Sequence, residues 1–191
     1  MFRNMPQGRT LTPGYTVIYP NREKSANVTT KAVVVLLMLI SVALMLIVTI
    51  GGWSKLQGMK PVNFVWCLAY LITAYYIWVR WSRGLLPIVA ALSILLLTMA
   101  AIAGTGLAGT SWFDRSQAGF GAAHTIFGST GLTPDVIGLV TVLLIPIQVL
   151  LIVVAMVGFK QGWNVELEVP KDEAERRRRR PGAPPPQPAT A

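Results

Sequence analysis

Residues 79–85 read V-R-W-S-R-G-L and separate an apolar run that ends at Val79 from another that begins at Leu85. A connection this short makes two consecutive helices antiparallel, as in a helical hairpin. Arg80 and Arg83 lie in this connection, and short loops rich in arginine between membrane spans face the cytoplasm. The turn therefore predicts that both chain ends are cytoplasmic and that the segment between the third and fourth apolar runs is outside.

The composition is that of a membrane protein. Of the 191 residues, 53% are hydrophobic and only 13% are charged, whereas soluble domains average about 25% charged residues. A helix rises about 1.5 Å per residue, so about 20 apolar residues cross a hydrocarbon core of about 30 Å. We predict an all-α integral membrane protein, a bundle of four transmembrane helices at about 32–50, 62–79, 85–104 and 135–159, with a long outer loop at 105–134.

The polar parts of the chain lie at its two ends. Residues 1–30 form a predicted cytoplasmic N-terminal segment, 31–159 the membrane domain and 160–191 a basic, proline-rich cytoplasmic tail. Of the 17 lysines and arginines, only Lys55, Lys60 and Arg115 fall on the predicted outer side. This bias supports the orientation. The net charge of +9 is concentrated at the ends of the spans, where anionic lipids and the membrane topology account for it. No nucleic acid is therefore expected as a partner.

Two short segments have the pattern of strands. Residues 15–19 read Y-T-V-I-Y, and residues 165–169 read V-E-L-E-V, with apolar and acidic side chains alternating. A lone strand of five residues is not stable, so we hypothesise that the two pair on the cytoplasmic side. The alternative is that both are loosely ordered interfacial segments. Residues 171–180 are predicted to form a charged helix, in which Asp172 precedes Arg176 by four residues.

Several residues suggest how the helices pack. Ala100, Gly104 and Ala108 recur every four residues, a small-residue ridge that lets another helix approach closely. Pro146 interrupts the backbone hydrogen bonding of the fourth span and predicts a kink or local unwinding. Gln148 lies at membrane depth, where it either forms a hydrogen bond across helices or lines a permeation path. Trp66, Tyr70 and Thr73 share one face of the second span, a pattern typical of packing.

The outer loop is longer than a connection between helices requires. It combines glycines with large apolar side chains, so it is expected to lie across the bundle, with a short interfacial helix near 120–127. Its aromatics either cover the ends of the spans or contact a partner protein. The candidate contact residues are Trp112, Phe113, Phe120, His124 and Phe127.

Asp, Glu, Lys, Arg and His are absent from the interiors of the four predicted spans. Intramembrane catalysis and proton coupling normally use such residues, so neither is expected. Asp114, Ser116 and His124 in the outer loop include the residue types of a hydrolase triad, but no nucleophile elbow accompanies them. With a single histidine, neither a metal site nor a haem site is predicted. We expect no catalytic residue and no cofactor.

An arginine run follows the last span. At this distance from a membrane helix it is expected to attract anionic lipid headgroups. Nucleic-acid binding is a weaker alternative, because no interleaved aromatics accompany the run. Arg178, Pro181 and Pro184 have the spacing of a polyproline ligand, but many basic, proline-rich tails share this pattern. The residues of the run are Arg176, Arg177, Arg178, Arg179 and Arg180.

These features predict a multi-pass protein of the cell membrane that is not an enzyme. We expect a non-enzymatic accessory or scaffold subunit that acts through contacts with lipids and with a membrane-protein partner or a second copy of itself. The alternative is a small carrier or channel subunit that uses Gln148, the interruption at Pro146 and the tyrosines of the second span.

Overall fold

The computed structural model of the chain describes residues 13–53, 56, 60–105 and 131–179. Within them lie four long helices: α1 (Ser25–Gly51), α2 (Lys60–Arg80), α3 (Leu86–Thr105) and α4 (Pro134–Lys160). Four helical segments are long and apolar enough to cross a membrane. The predicted spans match these helices closely, and most of the described chain is helical, as expected.

The helices pack in the order α2, α1, α4, α3. α1 contacts both α2 and α4, and α3 packs along α4, whereas the backbones of α2 and α3 approach each other at few points. The core is continuous between the helices because large apolar side chains from all four are fully buried there. These include Val34, Met38, Tyr70, Ile77, Leu86, Val89 and Leu151.

The contact between α3 and α4 is close because both helices carry small residues at the crossing. A Cβ atom added to Gly104 would lie 2.9 Å from Cγ2 and 3.1 Å from the backbone nitrogen of Val142. Gly138 faces the carbonyl of Gly104 from the other side, and Ala100 is buried on the same ridge. The ridge predicted from Ala100 and Gly104 therefore meets a helix of the same chain. Ala108 lies outside the described residues.

A two-stranded antiparallel sheet joins segments near the two ends of the described chain. β1 (Tyr15–Ile18) pairs with β2 (Leu167–Pro170), with Ile18 opposite Leu167. The hypothesis of a strand pair is confirmed, although β2 begins two residues later than the apolar and acidic alternation suggested. The charged helix α5 (Lys171–Arg179) is also confirmed, and it packs against the sheet.

The sheet lies at the end of the bundle that holds the tight turn between α2 and α3, which we call the turn end. The Arg83 Nε donates a hydrogen bond to the carbonyl of Phe159, which connects this turn with the last residues of α4. Asn21 Nδ2 donates to the carbonyl of Gly162, 2.9 Å away. Both described chain ends and the turn are therefore on one side of the bundle.

α1 contains the first predicted span and extends beyond it at the N-terminal end. The helix begins at Ser25, seven residues before the expected span, so it includes the end of the predicted N-terminal segment. The side chain of Asn27 donates to the carbonyl of Asn21, and Gln161 donates to the hydroxyl of Thr30. One local contact and one long-range contact therefore hold the first turns of α1.

Two further predictions concern α4 and the segment before it. α4 remains helical across Pro146, so the local unwinding that was one of the two effects predicted there does not occur. At its start, the side chain of Thr133 accepts a hydrogen bond from the backbone of Val136, as expected for a capping residue. The short helix predicted near 120–127 falls outside the described residues.

Candidate functional site

A polar network occupies the middle of the bundle and takes one side chain from each long helix. Its members are Ser41 of α1, Tyr70 of α2, Ser93 of α3 and Gln148 of α4, all with 0% exposure. The Tyr70 hydroxyl donates to Gln148 Oε1 at 2.9 Å, and Gln148 Nε2 donates to Ser41 Oγ at 2.8 Å. The Ser93 and Tyr70 hydroxyls are 3.1 Å apart. Gln148 thus forms bonds across helices, one of the two roles predicted for it.

The hydrogen atoms in the polar network can be assigned from chemistry. Tyr70 has a single O–H, which it donates to Gln148, so the Ser93 hydroxyl must be the donor to Tyr70. Ser41 donates to the carbonyl of Leu37, one turn earlier, while it accepts from Gln148. Each side-chain nitrogen and oxygen of the four residues therefore has a partner. A buried polar group without one would cost several kcal/mol in hydrocarbon, roughly 2–7 kcal/mol.

A second polar contact joins α1 and α2 nearer the opposite end of the bundle. Asn63 Nδ2 donates to Thr49 Oγ1 at 3.0 Å, and Thr49 in turn donates to the carbonyl of Met45. A partly open cavity of about 190 Å³ lies beside this contact. Its lining is almost entirely apolar and comes from all four helices, including Met45, Leu96 and Leu144.

A cation–aromatic cluster lies at the turn end, formed by Tyr19, Arg22, Lys31, Trp78, Trp81 and Trp163. Lys31 is only 7% exposed, although it carries a charge. Its Nζ lies 3.7 Å from the ring centroid of Trp81 and 4.6 Å from that of Trp78, and it donates to the Trp78 carbonyl at 3.2 Å. The Arg22 guanidinium lies 4.0 Å from the ring of Tyr19 and 6.0 Å from that of Trp81. Such cation–π contacts partly replace water around a desolvated charge.

Trp81 is held in a backbone conformation that large residues avoid. Its φ is +52°, in the left-handed region, which costs about 1–2 kcal/mol for a residue with a Cβ atom. The Trp81 indole meets the ring of Trp163 edge-on, with centroids 5.6 Å apart. Trp163 is fully buried, and its N–H donates to Gln161. The contacts with Trp163 and Lys31 hold the tight turn in this strained form.

The sheet adds a carboxylate next to the cation–aromatic cluster. Tyr19 donates its hydroxyl proton to Glu166 at 3.1 Å, and this hydrogen bond raises the pKa of Tyr19. Arg22 Nη2 donates instead to the amide oxygen of Asn164 at 3.0 Å. The Glu166 carboxylate therefore accepts its hydrogen bond from the Tyr19 phenol and not from the Arg22 guanidinium.

The structure brings some of the predicted site residues together. Gln148 belongs to the polar network, with Pro146 two residues before it, and Ala100 and Gly104 form the seam with α4. Arg176 is exposed on α5. The side chains of Arg177, Arg178 and Arg179 and all of Arg180 lie outside what the structure describes, as do the five candidate contact residues of the outer loop: Trp112, Phe113, Phe120, His124 and Phe127.

Sequence reasoning missed the partners of Gln148 and the burial of Lys31. One signal was available: each predicted span has a polar side chain near its middle, at Ser41, Tyr70, Ser93 and Gln148. Polar groups at equal depth in neighbouring helices are candidates for a shared hydrogen-bond network. No comparable signal distinguishes Lys31, because a lysine at the start of a span normally marks the interface.

The described residues contain no group of three or more histidine, cysteine, aspartate or glutamate side chains that could hold a metal ion. Comparison with known proteins does not supply a function either. No protein-family model, curated protein or solved structure matches the chain, so a proposal for its function rests on the geometry of the polar network and of the turn end.

Proposed function

We propose that this chain is a non-enzymatic accessory or scaffold subunit of the cell membrane, with both termini in the cytoplasm, and that it acts through contacts. The observation that carries the proposal is the polar network. It ties all four helices together at their centre and leaves the buried polar groups of Ser41, Tyr70, Ser93 and Gln148 bonded to one another. A bundle cross-linked in this way is suited to present fixed surfaces to lipids and partners.

The alternative, a small carrier or channel subunit, would use Gln148 and the tyrosines of α2 along a path for solutes. Gln148 and Tyr70 are instead satisfied within the polar network. Tyr75 and Tyr76 lie on the exposed side of α2. The apolar cavity near Met45 offers almost no polar groups to a hydrophilic solute. These positions favour the contact role.

The partner of such a subunit is expected to be another membrane protein or a second copy of this chain. The outer loop remains the first candidate for the contact, because long loops with large apolar side chains often carry function. The basic tail is the second candidate. Both remain predictions from the sequence.

Co-purification from native membranes tests where the partner binds. The unaltered protein and a variant with residues 117–128 replaced by a Gly/Ser linker of equal length are purified side by side. We expect that the variant folds but no longer retains the associated proteins. The matched control replaces the proline-rich residues 181–191 by a Gly/Ser linker of equal length, and it should keep them. If the loop variant retains the same partners while folded, the loop is not the contact surface, and the basic tail becomes the better candidate.

Thiol labelling tests the orientation in the membrane. Single cysteines are placed at Ser116 and Thr190 in a Cys67→Ala background, which removes the native thiol. Cys67 is buried in the bundle. The excess of lysines and arginines at the turn end leads us to expect that an impermeant reagent added outside labels position 116 and not position 190. The reverse labelling pattern would invert the proposed topology.

A further inference from the structure

Two cations at the turn end share one aromatic ring. Lys31 Nζ and the Arg22 guanidinium both lie within 6.0 Å of the ring centroid of Trp81. Lys31 is on α1, and Arg22 is in the short 3₁₀ helix Pro20–Glu23 that precedes it. The fold therefore places two positive charges around one indole ring, where their mutual repulsion is unfavourable unless a negative charge lies near them.

The described hydrogen-bond partners of these cations are neutral, and the carboxylate beside the cluster, Glu166, accepts from Tyr19 instead. Lys31 donates to a backbone carbonyl, and Arg22 Nη2 donates to an amide oxygen. Arg22 Nε is buried and has no hydrogen-bond partner among the described residues. Lys31 has three N–H donors, of which one carbonyl takes one. Lys31 and Arg22 thus have N–H groups without a described hydrogen-bond acceptor, and both carry their positive charge beside the Trp81 ring.

The position of Lys31 along α1 matches the level of lipid phosphates. The apolar residues 32–50 that follow it have a length of about 28 Å as a helix, close to the hydrocarbon thickness of about 30 Å. Lys31 therefore lies at the boundary between hydrocarbon and headgroups, with the rings of Trp78 and Trp81 beside it, as is common for aromatic residues at this depth.

From these observations we infer that the turn end binds the phosphate group of an anionic lipid headgroup, held by Arg22 and Lys31 beside the indole of Trp81. A phosphate oxygen can accept from the partly exposed end of the Arg22 guanidinium and from Lys31 Nζ, whereas Arg22 Nε is enclosed by protein; charge-assisted bonds of this kind are strong. The strained turn at Trp81 then has a role, because it places the indole against both cations. The inference holds for either leaflet and does not depend on the proposed accessory function.

The test uses the purified full chain in a neutral detergent. Thermal unfolding and native mass spectrometry are recorded with short-chain phosphatidylglycerol, with phosphatidylcholine of the same chain length, and with inorganic phosphate at equal concentration. About 0.5 M salt is included to screen the charges of the arginine-rich tail, since half-buried charges are screened less. We expect phosphatidylglycerol to raise the melting temperature and to remain bound, and the other two to have little effect.

The decisive variant is Arg22→Gln/Lys31→Met, compared with Lys24→Gln/Lys160→Gln. Both lose two positive charges near the turn end, but Lys24 and Lys160 are exposed. The first variant should lose roughly tenfold or more in affinity for phosphatidylglycerol, because each cation near the surface contributes about a factor of five. The second should bind as the unaltered protein does.

Equal losses in both variants, or no loss in the first, would overturn the inference. Stabilisation by inorganic phosphate as strong as by phosphatidylglycerol would overturn the assignment to a lipid. Should the first variant not fold, the unaltered protein decides, because equal retention of phosphatidylcholine and phosphatidylglycerol would contradict a site for an anionic headgroup. Arg22→Lys, which keeps the charge, is expected to retain the preference.

Discussion

Replacing Gly104 with leucine is expected to lower the free energy of unfolding by about 3 kcal/mol, because α3 can no longer approach α4. The added Cβ atom alone would lie 3.1 Å from the backbone nitrogen of Val142 and 3.3 Å from the carbonyl oxygen of Gly138. Backbone atoms of a helix cannot move aside as a flexible side chain can, so the two helices must separate. Unfolding of the purified protein by a denaturing detergent measures the change.

Gly138 provides the matched control on the other side of the same crossing. The nearest atom to a Cβ added there is the Gly104 carbonyl oxygen at 3.6 Å, an ordinary contact distance. Gly138→Ala should therefore leave the stability unchanged or raise it by up to about 1 kcal/mol. Gly104→Ala is expected to destabilise the protein. Equal effects of alanine at the two glycines would show that the close approach is not specific to Gly104.

The second large effect is expected at the polar network. Tyr70→Phe removes the hydroxyl that joins Ser93 to Gln148 and should cost about 1–3 kcal/mol, since a buried acceptor on Gln148 is left without its donor. Gln148→Leu should cost no more than about 2 kcal/mol and leave any transport unchanged. Tyr75→Phe is the control, because this tyrosine is 60% exposed on the same helix and should have little effect. Loss of a substrate flux in folded Gln148→Leu would favour the carrier alternative.

Much of the fold could be predicted because it depends on local chemistry. The apolar runs, the basic turn at Arg80 and Arg83, and the alternation around Glu166 and Glu168 each have a period or composition that a single segment displays. The start of α1 could not be predicted in the same way. It depends on the contact of Asn27 with Asn21 and of Thr30 with Gln161, and the second pair is separated by 131 residues.

The candidate site was predicted only in part, for a similar reason. The depth of Gln148 indicates that it needs a partner, but the sequence does not indicate which polar group supplies it. Ser41 is 107 residues away along the chain and Tyr70 is 78 residues away. The cluster at the turn end is harder still. From the sequence, Lys31 and Trp81 are each interpreted as residues of the membrane interface. Their contact depends on the strained turn, which the sequence does not indicate.

The central claim is that one hydrogen-bond network holds the four helices together at membrane depth. A double-mutant cycle of Tyr70→Phe and Gln148→Leu, measured by detergent unfolding, tests it most directly. Because both substitutions remove the same 2.9 Å bond, the double variant should lose less stability than the two single losses added, by about 0.5–2 kcal/mol. Losses that add without any coupling would contradict the network.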